Sequence, residues 1–334
     1  MARKCIGVDV SKKTLDIAFY DGKIDMKNNH QKVSNDINGY EKFLTWTNKR
    51  GIEKGDMFVC LEHTGLYAYE FCCWLQTENI VYHLIPGKDM HDFSLPEKQF
   101  GLSHVKTDKT DSFRIAIYCF MYNSLLRPSK VPSESIFRLK RLVAERKQYI
   151  QQGVHYKQQL SDISKYDSES GRKRKQDLLK DIRRSISNTD KEIDDLLSHD
   201  SELHKNYNLL LSVVGIGRVN AINAIVLTGN FKIIDNPRKY ASYIAIAPFP
   251  CQSGTSVKGK TMVSKCGFTQ AKADLSVAAM SCLVNDPGIK SYWERKKKEG
   301  KHSGVILNAI KFKLVLRMFA VIKRQKPYVI IAQS

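Results

Sequence analysis

A mixed α/β domain followed by a helical hairpin and a mainly helical C-terminal unit is the fold class that this sequence predicts, and three patterns predict it. Over residues 1–128, short β-rich runs alternate with helical periodicities. From Pro132 the character changes, and Leu142, Tyr149, Tyr156 and Ile163 recur at every seventh position. Beyond residue 206 a Gly-x-Gly turn stands between apolar helical stretches. The expected boundaries are therefore 1–128, 129–205 and 206–334.

The first domain opens on Cys5-Ile6-Gly7-Val8-Asp9-Val10, with Ile6, Val8 and Val10 apolar on a short run. A second run over Leu15–Tyr20 and an Asp21-Gly22 turn make an opening hairpin, and a third short run is expected near Ile24-Asp25-Met26. An Asn35/Asp36 cap begins a helix through Tyr40, Phe43, Leu44 and Trp46. Met57–Leu61 is a short apolar strand that runs into Glu62. A helix from about Leu66 to Glu78 and a strand over Ile80–Ile85, stopped by Pro86-Gly87, complete a hairpin-then-βαβ order. Residues 88–106 read as a loop with a short helix, and Lys106–Asp111 opens an apolar helix through Phe113, Ile117 and Met121.

Asp9 is the anomaly in this domain. A carboxylate inside a strand costs several kcal/mol unless a cation or hydrogen bonds compensate, so it asks for a partner; an Asp at a fraying, solvated strand end would need none. Asp108 and Asp111 share one face of a first helical turn, where capping alone is a sufficient reason for acids. With Glu62 at the end of a later core strand, however, the order of the four acids is that in which a ribonuclease-H-like fold assembles a metal site. Four converging oxygen ligands suit two hard cations such as Mg²⁺, with Mn²⁺ a substitute, and such a pair clamps the attacking and leaving oxygens of phosphoryl transfer.

The middle segment reads as a helical hairpin with a coiled-coil seam. Its second helix places Leu179, Ile182, Ile186, Thr189, Ile193 and Leu196 at alternating three- and four-residue steps, while Arg146 and Gly153 interrupt the first. The interrupted seam is open to either a simple hairpin or a second chain. In the last segment, Leu209–Val219 with Gly215-Ile216-Gly217 resembles a helix-hairpin-helix. There backbone N–H groups and Arg218 approach a phosphate, or the glycines merely turn the chain. The small, basic stretch Cys251–Gly267 contains Ser253, Ser256, Ser264, Lys258 and Lys260, and by its composition alone it is a surface turn.

Net charge is +20, which attracts polyanions, nucleic acid above all. From Asp286 to Ser334 there are 12 Lys or Arg against three acids, including Lys296, Lys297, Lys298, Lys311 and Arg317. This tail is expected to touch phosphate, the alternative being a solvated helix face. The eight cysteines contain no Cys-x-x-Cys, which favours reduced core thiols over zinc. With no run of about 18 apolar residues and no charged-then-apolar leader, the expectation is a soluble cytoplasmic protein.

These motifs resemble the DEDD transposases of the insertion-sequence one-ten type, relatives of the Piv and MooV DNA invertases. Gly7–Lys12, Glu62–Tyr67 and Lys106–Asp111 resemble the RuvC-like domain of that family. Gly215-Ile216-Gly217, Tyr240–Tyr243, Gln252-Ser253-Gly254, Gly259-Lys260 and Ser264–Gly267 resemble its transposase domain. Ser112 stands where alanine is usual and Ile246 where leucine is common. The resemblance implies that Asp9, Glu62, Asp108 and Asp111 bind divalent metal and that Ser253 is a nucleophile taking a DNA 5′ phosphate. It further implies that the protein works as a dimer or tetramer on donor and target DNA with a structured guide RNA. An invertase without guide RNA, and a Holliday-junction-type nuclease using the four acids and water, are the competing expectations.

Overall fold

The computed structural model describes residues 3–63, 65–93, 107–162, 166–249, 252–253, 257–258, 262–264 and 267–329. The chain divides into two compact units, 1–131 and 132–334.

The first unit is built on a five-stranded mixed sheet. Its strands are β1 (Lys4–Val10), β2 (Thr14–Tyr20), β3 (His30–Ser34), β4 (Met57–Glu62) and β5 (Val81–Ile85), in the spatial order β3-β2-β1-β4-β5. β1, β2 and β3 pair antiparallel, whereas β4 and β5 run parallel to β1. The helices are α1 (Ile37–Asn48), α2 (Leu66–Thr77), α3 (Gly87–Asp92) and α4 (Asp108–Tyr122). Asp36 caps α1 by accepting from Gly39 N, as the sequence predicts.

Residues 24–26 are not a strand, which corrects the sequence reading. Asp25 Oδ1 instead accepts from the amides of Lys27 and Asn28 at 3.1 and 3.0 Å, forming a turn, and the third strand follows at His30.

Because strand side chains alternate, the central strands feed two cores. Ile6, Val8, Leu15, Ile17, Val59 and Leu61 pack with Phe43 of α1 and Phe71 of α2. On the other face Cys5, Phe58 and Cys60 meet Ile115 and Cys119 of α4, and Ala18 and Tyr20 meet Phe113 and Ile117. The helix lies unusually close to β1, and Gly7 is the reason. A β-carbon there would fall 2.2 Å from Ala116 N and 2.3 Å from the Ser112 carbonyl oxygen. Both blocking atoms are backbone, so Gly7→Ala should cost about 3 kcal/mol, the upper range of overpacking. Urea denaturation reads this directly, and an unchanged midpoint would mean that α4 can back away without loss.

The second unit contains the long pair α5 (Glu134–Asp162) and α6 (Glu169–His199). Its remaining helices are α7 (Ser201–Leu211), α8 (Arg218–Thr228), α9 (Pro237–Tyr243), α10 (Thr269–Asn285), α11 (Pro287–Lys298) and α12 (Ser303–Arg324). Ser168 caps α6 by accepting from Gly171 N, so this helix starts inside the polar break. Ile136 and Leu139 of α5 with Ile193 and Leu197 of α6 share one core with Leu210, Ile225 and Leu314.

The two interruptions in the hairpin are accommodated. Gly153 is buried and faces Ile182, where a β-carbon would stand 3.4 Å from Cγ2. Arg146 Nε donates to Asp190 Oδ1 at 2.8 Å. Asp190 also receives Arg218 from α8 at 3.3 Å, and Arg218 pairs with Asp194 as well. Asp190→Ala leaves two half-buried guanidinium groups short of a partner and should cost about 1–2 kcal/mol. A denaturant midpoint equal to wild type would reduce the cluster to surface decoration.

Between α9 and α10 lie β6 (Pro248–Phe249), β7 (Gln252–Ser253), β8 (Val257–Lys258) and β9 (Met262–Val263), paired β6 with β9 and β7 with β8. Among the described residues no helix is long and apolar enough to cross a membrane.

Candidate active site

Strand register brings Asp9 and Glu62 to the same end of the sheet, and the start of α4 supplies two more acids. Asp9 is the last residue but one of β1 and lies on the face that α4 covers, in alternation with Cys5 and Gly7. In the parallel pair Val8 stands opposite Leu61, so Glu62 follows at the same end of β4, and by the same alternation it shares the face of Phe58 and Cys60. Thr107 caps α4 through a capping box and puts Asp108 and Asp111 in its first turn. Since Gly7 seats that helix on β1, its acidic end arrives beside Asp9.

The electrostatics record this convergence. Burial first, then the charges of Asp108, Asp111, Asp16 and Glu62, raise the Asp9 carboxyl to about 6. Glu62 and Asp111 are half-buried and Asp108 is exposed. Among the described residues, no three Asp, Glu, His or Cys side chains stand close enough together to hold one ion.

A fifth acid, which the sequence analysis passed over, is Asp16. It is directly opposite Asp9 in the β1–β2 register and only 3% exposed. Like charges across a strand pair repel, and here two partners compensate. His30 Nε2 donates to Asp16 Oδ1 at 2.9 Å, and the Lys32 ammonium lies 2.9 Å from Oδ2. Lys32 is the cross-strand partner of Asp16, and its ammonium also approaches Asp108 Oδ2 at 3.4 Å. Hydrogen bonding to Asp16 raises the Lys32 pKa, while burial lowers that of His30. The signal was available: Asp16 between Leu15 and Ile17 is as anomalous as Asp9.

In the second unit, Ser253 lies in β7 with Val257 as its backbone partner, and Gln252 faces Lys258. Lys260, Gly254 and Ser256 lie outside the described residues. Gly217 precedes α8 with open space around it, but Gly215, at φ +86°, has a packing role. A β-carbon on Gly215 would fall 2.3 Å from Cys282 Sγ and 2.7 Å from the Ala278 carbonyl oxygen. Arg218 is held by Asp190 and Asp194, which compensate its charge within the chain.

The basic tail is not uniformly outward, which corrects part of the sequence reading. Lys311 is buried, and Arg317 is paired with Asp286 while lying over Tyr328. Lys296, Lys297 and Lys298 form the end of α11, with Lys296 2.6 Å from Glu299 and Lys297 donating to Ser303 Oγ at 2.8 Å. Lys313 and Arg295 lie over the Tyr292 ring at 4.6 and 5.7 Å.

A DEDD-type IS110 transposase family model matches residues 6–165, and a model described as Transposase IS116/IS110/IS902 family matches residues 207–294. The chain is 24% identical over 331 residues to the pilin gene-inverting proteins of Moraxella lacunata and Moraxella bovis, covering 98% of each. It is 28% identical over 123 residues to an IS110 insertion-element protein of Streptomyces coelicolor, covering 36% of this chain and 30% of that one. The chain therefore belongs to the IS110-type family of transposases, enzymes of DNA recombination.

Proposed function

We propose that this transposase is a site-specific recombinase whose first unit is a ribonuclease-H-like, RuvC-like domain and whose second unit supplies a serine nucleophile. The observation that supports the reading is that burial, and then the charges of Asp108, Asp111, Asp16 and Glu62, raise the Asp9 carboxyl. Such a set fits a hard divalent ion such as Mg²⁺ by its chemistry: every donor is oxygen, and a dication offsets the repulsion that raises Asp9. When bound, the metal supplies charge stabilisation for phosphoryl transfer. Side-chain rotation of the exposed Asp108 and half-buried Glu62 and Asp111 would close the corner. Until then Lys32 provides the compensating charge against Asp108.

In this reading Ser253 Oγ attacks a DNA phosphorus. A phosphoserine ester to the 5′ side forms, the bond from phosphorus to the 3′ oxygen breaks, and that oxygen takes up the proton the serine loses. The reverse step, with a different 3′ hydroxyl, rejoins strands. Donor and target DNA are the substrates, a structured guide RNA reads sequence by pairing, and the helical hairpin joins copies as a coiled coil in a cytoplasmic dimer or tetramer. Strand exchange between donor and target duplexes, supported by purified protein with Mg²⁺ and abolished by Asp9→Ala, tests the reading.

A second reading, an invertase that needs no guide RNA, is favoured by the match to the pilin gene-inverting proteins over 98% of both chains. Sequencing the RNA that co-purifies with the protein separates the two, since only the guided enzyme retains a defined species. The lysines at the end of α11 are the proposed backbone contacts. Replacing Lys296, Lys297 and Lys298 by Gln should weaken DNA binding roughly tenfold at about 150 mM salt and lower the slope of log K against log salt by about 2–3. An unchanged slope assigns them to a solvated face.

A further inference from the structure

Charge on the long hairpin is divided in a way that neither proposed site uses. Along α6, residues 169–184 carry seven Lys or Arg against three acids, and residues 185–199 carry one Lys against four acids. The helix starts at the outer end of the hairpin, whereas Ile193 and Leu197 lie in the embedded root. Acids of the root half have partners within the chain: Asp190 receives Arg146 and Arg218, and Asp194 receives Arg218.

Cations of the outer half are not matched in this way. Lys175 pairs with Asp167, while Lys180 and Arg184 make exposed (i, i+3) pairs with Asp177 and Asp181 at 3.1 and 3.3 Å, contacts of a kind that contribute little. Among the described residues Arg172, Lys173 and Arg183 pair with no acid, and all three are exposed. Cations toward the start of a helix and acids toward its end oppose the helix dipole, so the arrangement does not serve α6 itself. Nor is it a general device for keeping the hairpin solvated, because the neighbouring stretch of α5, residues 150–162, carries a single Lys and a single Asp. The cations also share a face. At about 100° per residue, Arg172, Lys173, Lys180, Arg183 and Arg184 fall within about 120° of arc, beside the seam where Leu179 and Ile182 are buried. The stripe is about 18 Å long, a length over which duplex DNA presents about ten phosphate charges.

We propose that this stripe on the outer half of α6 is a docking surface for the phosphate backbone of duplex DNA. The stripe stands on charge and placement; the naming of DNA rests on the chain's being an enzyme of DNA recombination. Arg and Lys on a rigid helix meet phosphates without reading bases, so the contact would position a duplex and leave sequence to other parts of the assembly. Two other occupants, duplex RNA and the acidic root half of a second copy, are outcomes of the test.

The test measures the affinity of the full chain for duplex DNA against salt, with a chelator present so that no divalent ion takes part. Replacing Arg172, Lys173 and Arg183 by Gln should weaken binding roughly tenfold at about 150 mM salt and lower the slope of log K against log salt by about 2–3. Replacing Lys140, Lys147 and Lys191 by Gln removes the same charge from exposed positions nearer the root and should lower the slope by less than about 1. Equal slopes in the two triple variants, whether both fall or neither does, overturn the stripe. The same titration with duplex RNA of equal length separates the nucleic acids, and a loss confined to RNA overturns the assignment to DNA. Sedimentation of each variant addresses the second copy: a changed oligomeric state with an unchanged DNA slope makes the stripe an interface between copies and overturns the proposal. No arm depends on strand exchange or on the acidic corner, so failure of the stripe and failure of the recombinase reading are distinguishable.

Discussion

Asp9→Asn should lower strand exchange by about a thousandfold or more while leaving the fold intact and, without divalent ions, more stable at pH 8. Loss of one carboxylate from a corner that supplies several kcal/mol of transition-state stabilisation accounts for the rate, since about 1.4 kcal/mol corresponds to each factor of ten. The stability gain follows from the raised carboxyl, at about 6 against an ordinary 3.8. The folded chain binds that proton more tightly than the unfolded one, so ionisation of Asp9 costs stability above pH 6, and the cost disappears as pH falls below about 4. Asparagine removes the charge at every pH. The variant should therefore gain about 1–2 kcal/mol at pH 8, discounted because Asp9 is only half-buried, and match wild type near pH 4. Parallel denaturation curves at both pH values decide this, and a variant less stable at pH 8 would make Asp9 a structural acid.

Ser253→Ala should abolish a covalent protein–DNA species while leaving DNA binding within about twofold. A serine nucleophile forms an adduct that survives denaturation, whereas water attack does not. The hydroxyl is a small part of a binding surface dominated by phosphate contacts, so its removal changes chemistry far more than affinity. End-labelled DNA incubated with protein and Mg²⁺, then run on a denaturing gel, reads the adduct. Its persistence in Ser253→Ala and loss in Ser264→Ala would move the nucleophile along the segment. No adduct from wild type would favour the water-driven nuclease.

The parts of the fold set by neighbouring residues were legible in the sequence. Alternation in Ile6, Val8 and Val10, the Asp36 cap of α1 and the apolar periodicity that follows Lys106–Asp111 are local signals, and each element lies where they point. β3 was misplaced because only Val33 of its five residues is buried, so as an edge strand it carries almost no apolar pattern. Asp16 was marked by its apolar neighbours, but its meeting with Lys32 was not legible, because that depends on cross-strand register and not on spacing along the chain. The packing of Gly215 against α10 and the pairing of Arg218 with acids of α6 likewise depend on contacts from distant sequence.

The long hairpin of the second unit has the properties of a ruler. Only its root is embedded, through Ile136, Leu139, Ile193 and Leu197, and its arms of 29 and 31 residues rise about 40 Å from there at 1.5 Å per residue. Adding or deleting seven residues in both arms would keep the same faces turned inward and leave the root untouched. The tip would move by about 10 Å for each such step. Tip distance can therefore be reset by whole repeats without renegotiating the core.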